Sequence, residues 1–161
     1  MSVGPVHHVS ISVSDLDRSV RFYSDLLGMR VTMRATVADA EHDAYLRLPD
    51  GTEGKVALLQ VGPPVGAVQL IQWSNGAPAS APKRPGDPGV FLLAFELDGE
   101  TIDDMLARLA THGISAWTAP VESHIDGYGR IRTVIVEDPD GTMIEFLELP
   151  SREEIERNRK A

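Results

Sequence analysis

The sequence predicts an α+β protein built from two copies of one unit, each running strand, helix and then three strands. Three observations carry this reading. VHHVSISV at Val6 to Val13 alternates apolar and polar residues, and VFLLAFEL at Val90 to Leu97 takes the same role 84 residues later. AVQLIQW at Ala67 to Trp73 and MIEFLEL at Met143 to Leu149 form a second matching pair, 76 residues apart. The same offset lays Pro63 on Pro139, in the turns before those strands. Self-similarity at this period means two copies of a supersecondary unit that bury a shared face. The competing reading is an ordinary α+β sandwich whose halves match by chance.

The elements follow in order. In the first strand Val9, Ile11 and Val13 alternate with His8, Ser10 and Ser12, the period of two that gives a strand two unlike faces. Ser14 or Asp15 can cap the helix that follows, whose apolar stripe is Val20, Phe22, Leu26 and Leu27 and whose stop is Gly28. Met29 to Thr36 reads as a strand exposed through Arg30, Thr32 and Arg34. Ala38 to Leu48 is a short helix or an irregular flap, ended by Pro49-Asp50-Gly51. Lys55 to Val61 and Ala67 to Trp73 are strands joined by the turn at Gly62 to Gly66. The proline-rich stretch from Ser74 to Gly89 reads as a linker.

Beyond it the pattern restarts. Val90 to Leu97 is a strand, and Thr101 to Thr111 is a helix ended by Gly113, with Ile102, Met105, Leu106 and Leu109 on one side. Ile114 to Ala119, Arg130 to Val136 and Thr142 to Leu149 are the remaining strands, the last two joined by the turn Asp138-Pro139-Asp140-Gly141. The charged stretch Pro150 to Ala161 is a peripheral helix or a frayed tail. The expected layout is one domain over 1–161, with a first module at about 5–74, a linker at 75–89, a second module at about 90–149 and a tail at 150–161.

Composition narrows the function. A chain of 161 residues, 42% apolar, can bury a real core. A net charge of −9 argues against nucleic acid as a partner, since that affinity rests on clustered Lys and Arg. With no cysteine, disulfide frameworks, thiolate–zinc sites and cysteine nucleophiles are excluded. No basic segment followed by an apolar one opens the chain, and its apolar runs, such as Val56 to Leu59, are of strand length, so no membrane partner is expected and the cytoplasm is the default location.

The segments HHVSISVSDLDRSVRFYSDLLGMRV and VEDPDGTMIEFLEL resemble the opening and the closing hairpin of the vicinal oxygen chelate superfamily. That superfamily is the fold of glyoxalase I, methylmalonyl-CoA epimerase, extradiol dioxygenases and bleomycin-resistance proteins. The resemblance runs from about Val6 to Leu149 and implies two βαβββ modules curled into an open half-barrel around a pocket, and commonly a homodimer. It also implies that the metal positions fall on His8, Gln69, Leu92 and Glu145. Three of these can donate: an imidazole at His8, an amide oxygen at Gln69 and a carboxylate at Glu145. Leu92 departs from the pattern, because a histidine is usual there and an aliphatic side chain coordinates nothing. Glutamine at 69 resembles the epimerase pattern, while the missing histidine counts against iron-dependent dioxygenation.

The implied cofactor is a weakly held divalent ion (cobalt, manganese, zinc, nickel or iron), with a metal-free pocket as the alternative. Glu145 lies between Ile144 and Phe146, where a carboxylate is costly unless a ligand or cation satisfies it. His7 is expected to point away from His8 and to be structural. Trp73, Leu92, Tyr128 and Arg130 are candidates for substrate contact, the last two from a glycine-punctuated loop, His124 to Arg130, of the kind that touches ligands. Glu41, Glu53, His124 and Glu145 itself are the candidate acid–base groups. Two readings stay open. One is an isomerase or lyase that forms an enolate beside a carbonyl. The other is a metal-free protein that sequesters a small molecule.

Overall fold

A computed structural model describes residues 3–62, 65–75 and 83–160. Pro63 and residues 76–82 of the expected linker lie outside these residues. The chain divides into two compact units, Met1–Ala81 and Pro82–Ala161.

The first unit runs β1 (His8–Ser12), α1 (Leu16–Arg21), β2 (Arg30–Val37), α2 (Ala40–Leu46), β3 (Gly54–Gln60) and β4 (Ala67–Trp73). Of the two capping candidates it is Asp15 that closes the start of α1, accepting from the Arg18 N–H at 2.9 Å. Gln72 Oε1 accepts from the Leu16 N–H at 3.0 Å, which ties the helix start to β4. The helix then widens into a π-helical turn over Phe22–Leu26. This turn brings both Phe22 and Tyr23 into the core, and Gly28, at φ 72°, lets the chain leave it. Val20, Leu59, Val68 and Leu70 are buried with them on the helix side of the sheet.

The second unit runs β5 (Leu92–Glu96), α3 (Ile102–Ala110), β6 (Val121–Ile125), β7 (Gly129–Glu137), β8 (Met143–Glu148) and α4 (Arg152–Asn158). Thr101 caps α3, whose Ile102, Met105 and Leu109 are buried, as are Val134, Val136, Ile144 and Phe146 of the sheet. Asp138 is itself buried and organises the turn before β8: its Oδ1 accepts from the N–H groups of Asp140 and Thr142 at 2.9 and 2.8 Å.

The two sheets have the same strand order, β1-β4-β3-β2 and β5-β8-β7-β6. In each, only the first and last strands pair in parallel. The fold is therefore α+β with two βαβββ units, as the repeat predicts. The register is repeated too. Ser10 stands opposite Gln69 and Ala94 opposite Glu145, with His8 and Leu92 each two residues earlier on the same strand.

The structure decides between the alternatives at two segments and departs from the sequence expectation at two others. The stretch Ala38 to Leu48, left open between helix and flap, holds α2, capped by Asp39 and anchored by buried Asp43, whose Oδ2 accepts from the Gly51 N–H at 2.8 Å. The strand expected at Ile114 to Ala119 does not form; Trp117 makes a single backbone bond there, to Ile135 at 3.1 Å, and Pro120 has no N–H with which to extend it. Its place in the sheet goes to β6, which occupies part of what was expected to be a loop. His124 to Arg130 is instead a β-hairpin turned at Asp126-Gly127, with Gly127 at φ 70°. The C-terminal stretch forms α4 behind a Ser151–Glu154 capping box.

Gly54 lies against the Trp73 ring, and a Cβ there would sit 2.5 Å from Cζ3. Gly54→Ala is expected to destabilise the first unit by about 1–3 kcal/mol and to shift the indole fluorescence. Unchanged denaturant midpoint and emission would show that the ring is free to move aside.

Candidate functional site

α1 packs on one side of the first sheet and α3 on one side of the second; the face turned away from these helices is called helix-free below, and the register assigns every candidate residue to a side. In the first unit His8, Ser10 and Ser12 of β1 share the helix-free face with Gln69, Ile71 and Trp73 of β4. The Ser10 hydroxyl donates to Gln69 Oε1 at 2.8 Å, and Trp73 Nε1 donates to Ser12 Oγ at 3.2 Å. His8 is exposed and shares a hydrogen bond with His7, Nδ1 to Nδ1 at 2.8 Å, with the rings edge to face. His7 is thus an exposed neighbour in contact with the candidate ligand, contrary to the expectation that it points away from His8 as a structural residue. Ser10 and Ser12 were legible as the polar face of β1, but the glutamine and tryptophan they hold lie about sixty residues away, and only the strand register brings them together.

In the second unit Leu92, Ala94 and Glu96 of β5 share the helix-free face with Glu145 and Leu147 of β8, and Ile135 of β7 stands opposite Glu145. Four glutamates of the described chain are half-buried: Glu100, Glu137, Glu145 and Glu148. Three hold arginines, Glu100 with Arg108 at 2.6 Å, Glu137 with Arg84 at 2.7 Å and Glu148 with Arg132 at 3.1 Å. Glu145 has no hydrogen-bond or ion-pair partner among the described residues.

The remaining candidates lie elsewhere. Arg130 and His124 face each other across β7 and β6 on the helix side of the sheet, with Arg132, so they are on the opposite face from Glu145. Arg130, expected as a substrate contact, and His124, expected as an acid–base group, are thus set apart from Glu145 by an alternation that a loop would not impose. Arg130 is paired with Glu122 at 2.9 Å. Tyr128 sits in the hairpin turn, where its carbonyl accepts from Asn158 Nδ2 at 3.1 Å. Glu41 is exposed on α2, and Glu53, also exposed, precedes β3.

The donors do not fit a tightly held resident metal. The first unit offers one imidazole and one amide oxygen that already accepts from Ser10. The second offers the Glu145 carboxylate and, two residues beyond Ala94, that of exposed Glu96, while Leu92 has nothing to donate. Among the described residues no group of three or more His, Cys, Asp or Glu is placed to hold an ion. Leu92→His would set an imidazole on the same face as Glu145, on the adjacent strand. Calorimetric titration with cobalt or zinc is expected to show that this change tightens binding by about tenfold or more, worth ~1.4 kcal/mol or more. Equal affinity in the two proteins would mean that residue 92 lies outside any cation site.

With this geometry in hand, the likeness to known proteins can be read. Residues 6–146 match the family model of the Glyoxalase/Bleomycin resistance protein/Dioxygenase superfamily. The chain is 29% identical over 143 residues to the uncharacterized protein YaeR of Escherichia coli, covering 89% of this chain and 95% of that one. It is 28% identical to a lactoylglutathione lyase of Haemophilus influenzae, covering 88% and 90%, and 28% identical to a 2-epi-5-epi-valiolone epimerase of an Actinomyces species, covering 91% and 80%. The crystal structure of a glyoxalase family protein from Bacillus cereus superposes with a TM-score of 0.79 at 19% identity, over 94% of this chain and 97% of that one, a likeness of fold. A model that matches nearly the whole chain shows the membership: this protein belongs to the Glyoxalase/Bleomycin resistance protein/Dioxygenase superfamily.

Proposed function

We propose that this protein is a small-molecule isomerase or lyase, working beside a carbonyl group, with Glu145 as the carboxylate that takes up and returns the proton. The observation that carries the reading is the unpartnered state of Glu145. A half-buried carboxylate among aliphatic side chains loses hydration without compensation, and the three other half-buried glutamates avoid this by holding arginines. A group kept in that condition, on a face lined by Leu92, Ile135 and Leu147, is suited to meet a ligand. Relatives named as a lyase and as an epimerase support the same class of chemistry.

In this reading the carboxylate of Glu145 removes the proton from the carbon next to the carbonyl and delivers it again to the same or the neighbouring carbon. The aliphatic neighbours Leu92, Ile135 and Leu147 lower the local polarity, which strengthens the carboxylate's interaction with the reacting group. On the first unit the Ser10–Gln69 and Ser12–Trp73 pairs offer fixed hydrogen-bonding groups and an indole surface for a polar, partly apolar ligand. A second reading, ligand sequestration without turnover, is favoured by Leu92, which removes a cation donor from the face that bears Glu145.

Proton exchange separates the two. Incubated in D2O with lactoylglutathione or with 2-epi-5-epi-valiolone, the compounds in the relatives' names, the protein is expected to catalyse deuterium entry beside the carbonyl of one of them. Glu145→Gln should lower that rate by about 10²- to 10⁴-fold while leaving ligand affinity nearly intact. Saturable binding of a test compound with no exchange would favour sequestration, and full activity in Glu145→Gln would remove the carboxylate from the chemistry.

The chain is also expected to assemble as a homodimer. Every residue of the edge strand β6 is exposed, including Val121 and Ile125, and an uncovered edge invites pairing with a second copy. Light scattering at micromolar concentration should give twice the chain mass; a monomer mass would contradict this.

A further inference from the structure

The helix side of the second sheet holds a groove that the proposed chemistry at Glu145 does not use. It has a volume of about 420 Å³ and lies where α4 approaches the β6–β7 hairpin, lined by His124, Arg130, Arg132, Arg157 and Asn158 among others. Three arginines and a histidine thus meet in a chain whose net charge is −9. Two glutamates line the groove with them, and both are engaged. Glu148 Oε2 accepts from Arg132 and from the Ile102 N–H, at 3.1 and 3.0 Å. Glu154 accepts from the Ser151 hydroxyl and N–H at 2.7 and 2.8 Å, and these bonds hold its carboxyl below the usual range.

Arg132 is likewise spent, bonded to both Asp103 and Glu148. The side chains of Arg157 and His124 have no hydrogen-bond or ion-pair partner among the described residues, although the Arg157 charge helps to keep Glu154 ionised. Arg130 has only a surface pair with Glu122, both partners more than half exposed, an attraction that water and salt reduce to little. The groove is held open by backbone detail. Gly129 is buried beneath α4, where an added Cβ would sit 2.7 Å from Asn158 Nδ2 and 3.3 Å from Pro150, while Asn158 is fixed by the Tyr128 carbonyl.

We propose that this groove binds a small anion through a carboxylate or phosphate group, held by Arg157 and Arg130 with His124 and the Asn158 amide completing the set. Guanidinium forks match the paired oxygens of both groups, and imidazole gains a proton more readily beside an anion. The groove lies on the far side of the sheet from Glu145, so this site is independent of the proton chemistry proposed above. It is a second place at which a small anion is recognised.

The test is a titration of the isotope-labelled full chain with inorganic phosphate and, separately, with succinate. Ionic strength is held constant with sodium chloride, while the His124 ring, the Arg157 Nε–H and the Asn158 side-chain amide are followed by NMR. The expected result is saturation with a dissociation constant on the order of 1 mM for one anion or both, the stronger identifying the group preferred. Arg157→Gln should weaken binding by about tenfold. Glu122→Gln, which frees Arg130 and leaves the groove lining intact, should tighten it by a few-fold. Linear shifts no larger than those with chloride alone would overturn the proposal. So would undiminished affinity in a folded Arg130→Gln/Arg157→Gln double variant, or weaker binding in Glu122→Gln.

Discussion

In each unit the first strand lies in parallel against the last, and the placement of every candidate group depends on the register of that pairing. β1 and β4 are separated by most of the unit, as are β5 and β8, yet Ser10 meets Gln69 and Ala94 meets Glu145. Shifting either pair by one residue would send Gln69 or Glu145 to the helix side, where the core is. The helix that connects the strands enforces the register. Val9 and Ile11 must face α1 if its apolar stripe is to be buried, and His8, Ser10 and Ser12 are then obliged to face the other way. The Gln72–Leu16 bond and the Asp138 turn set the two last strands at fixed distances along their partners.

The same alternation divides the second sheet into two chemically different surfaces. On one, Glu145 stands among Leu92, Ile135 and Leu147 without a cation; on the other, Arg130, Arg132 and His124 gather beside α4. Had these groups shared one face, Arg132 or Arg130 would have neutralised Glu145 as they neutralise Glu148 and Glu122. Keeping them apart leaves the carboxylate available to a ligand and leaves the cations to do something else. The electrostatic character of the unit is therefore a result of strand parity, which costs the fold nothing beyond the pattern it already needs.

Much of this could be read from the residues because it is periodic. The offsets of 84 and 76 pair His8 with Leu92 and Gln69 with Glu145, the positions that the family resemblance implies, and the two sheets repeat one strand order and register. What was not legible depended on competition between segments. Ile114 to Ala119 has the apolar content of a strand, but Pro120 and the better-alternating Val121 to Ile125 take the place beside β7. The run from His124 to Arg130 looked like a loop because of its glycines; the Asp126-Gly127 pair was a hairpin signal, and reading it so would have put His124 and Arg130 on strands, where parity decides their side. The partners of Ser10 and Ser12 needed three-dimensional register, as did the arginines that single out Glu145 by passing it over.

The account rests on Glu145 being the one half-buried glutamate that waits for a ligand. Carboxyl carbon NMR on glutamate-labelled protein tests this directly, by adding a compound whose proton exchange the protein catalyses, or the tightest-binding carbonyl compound found. The account predicts that the Glu145 signal moves in proportion to occupancy while those of Glu100, Glu137 and Glu148, held by their arginines, stay in place. A Glu145 signal that stays still as the ligand saturates, or that moves only in step with the other three, would contradict it.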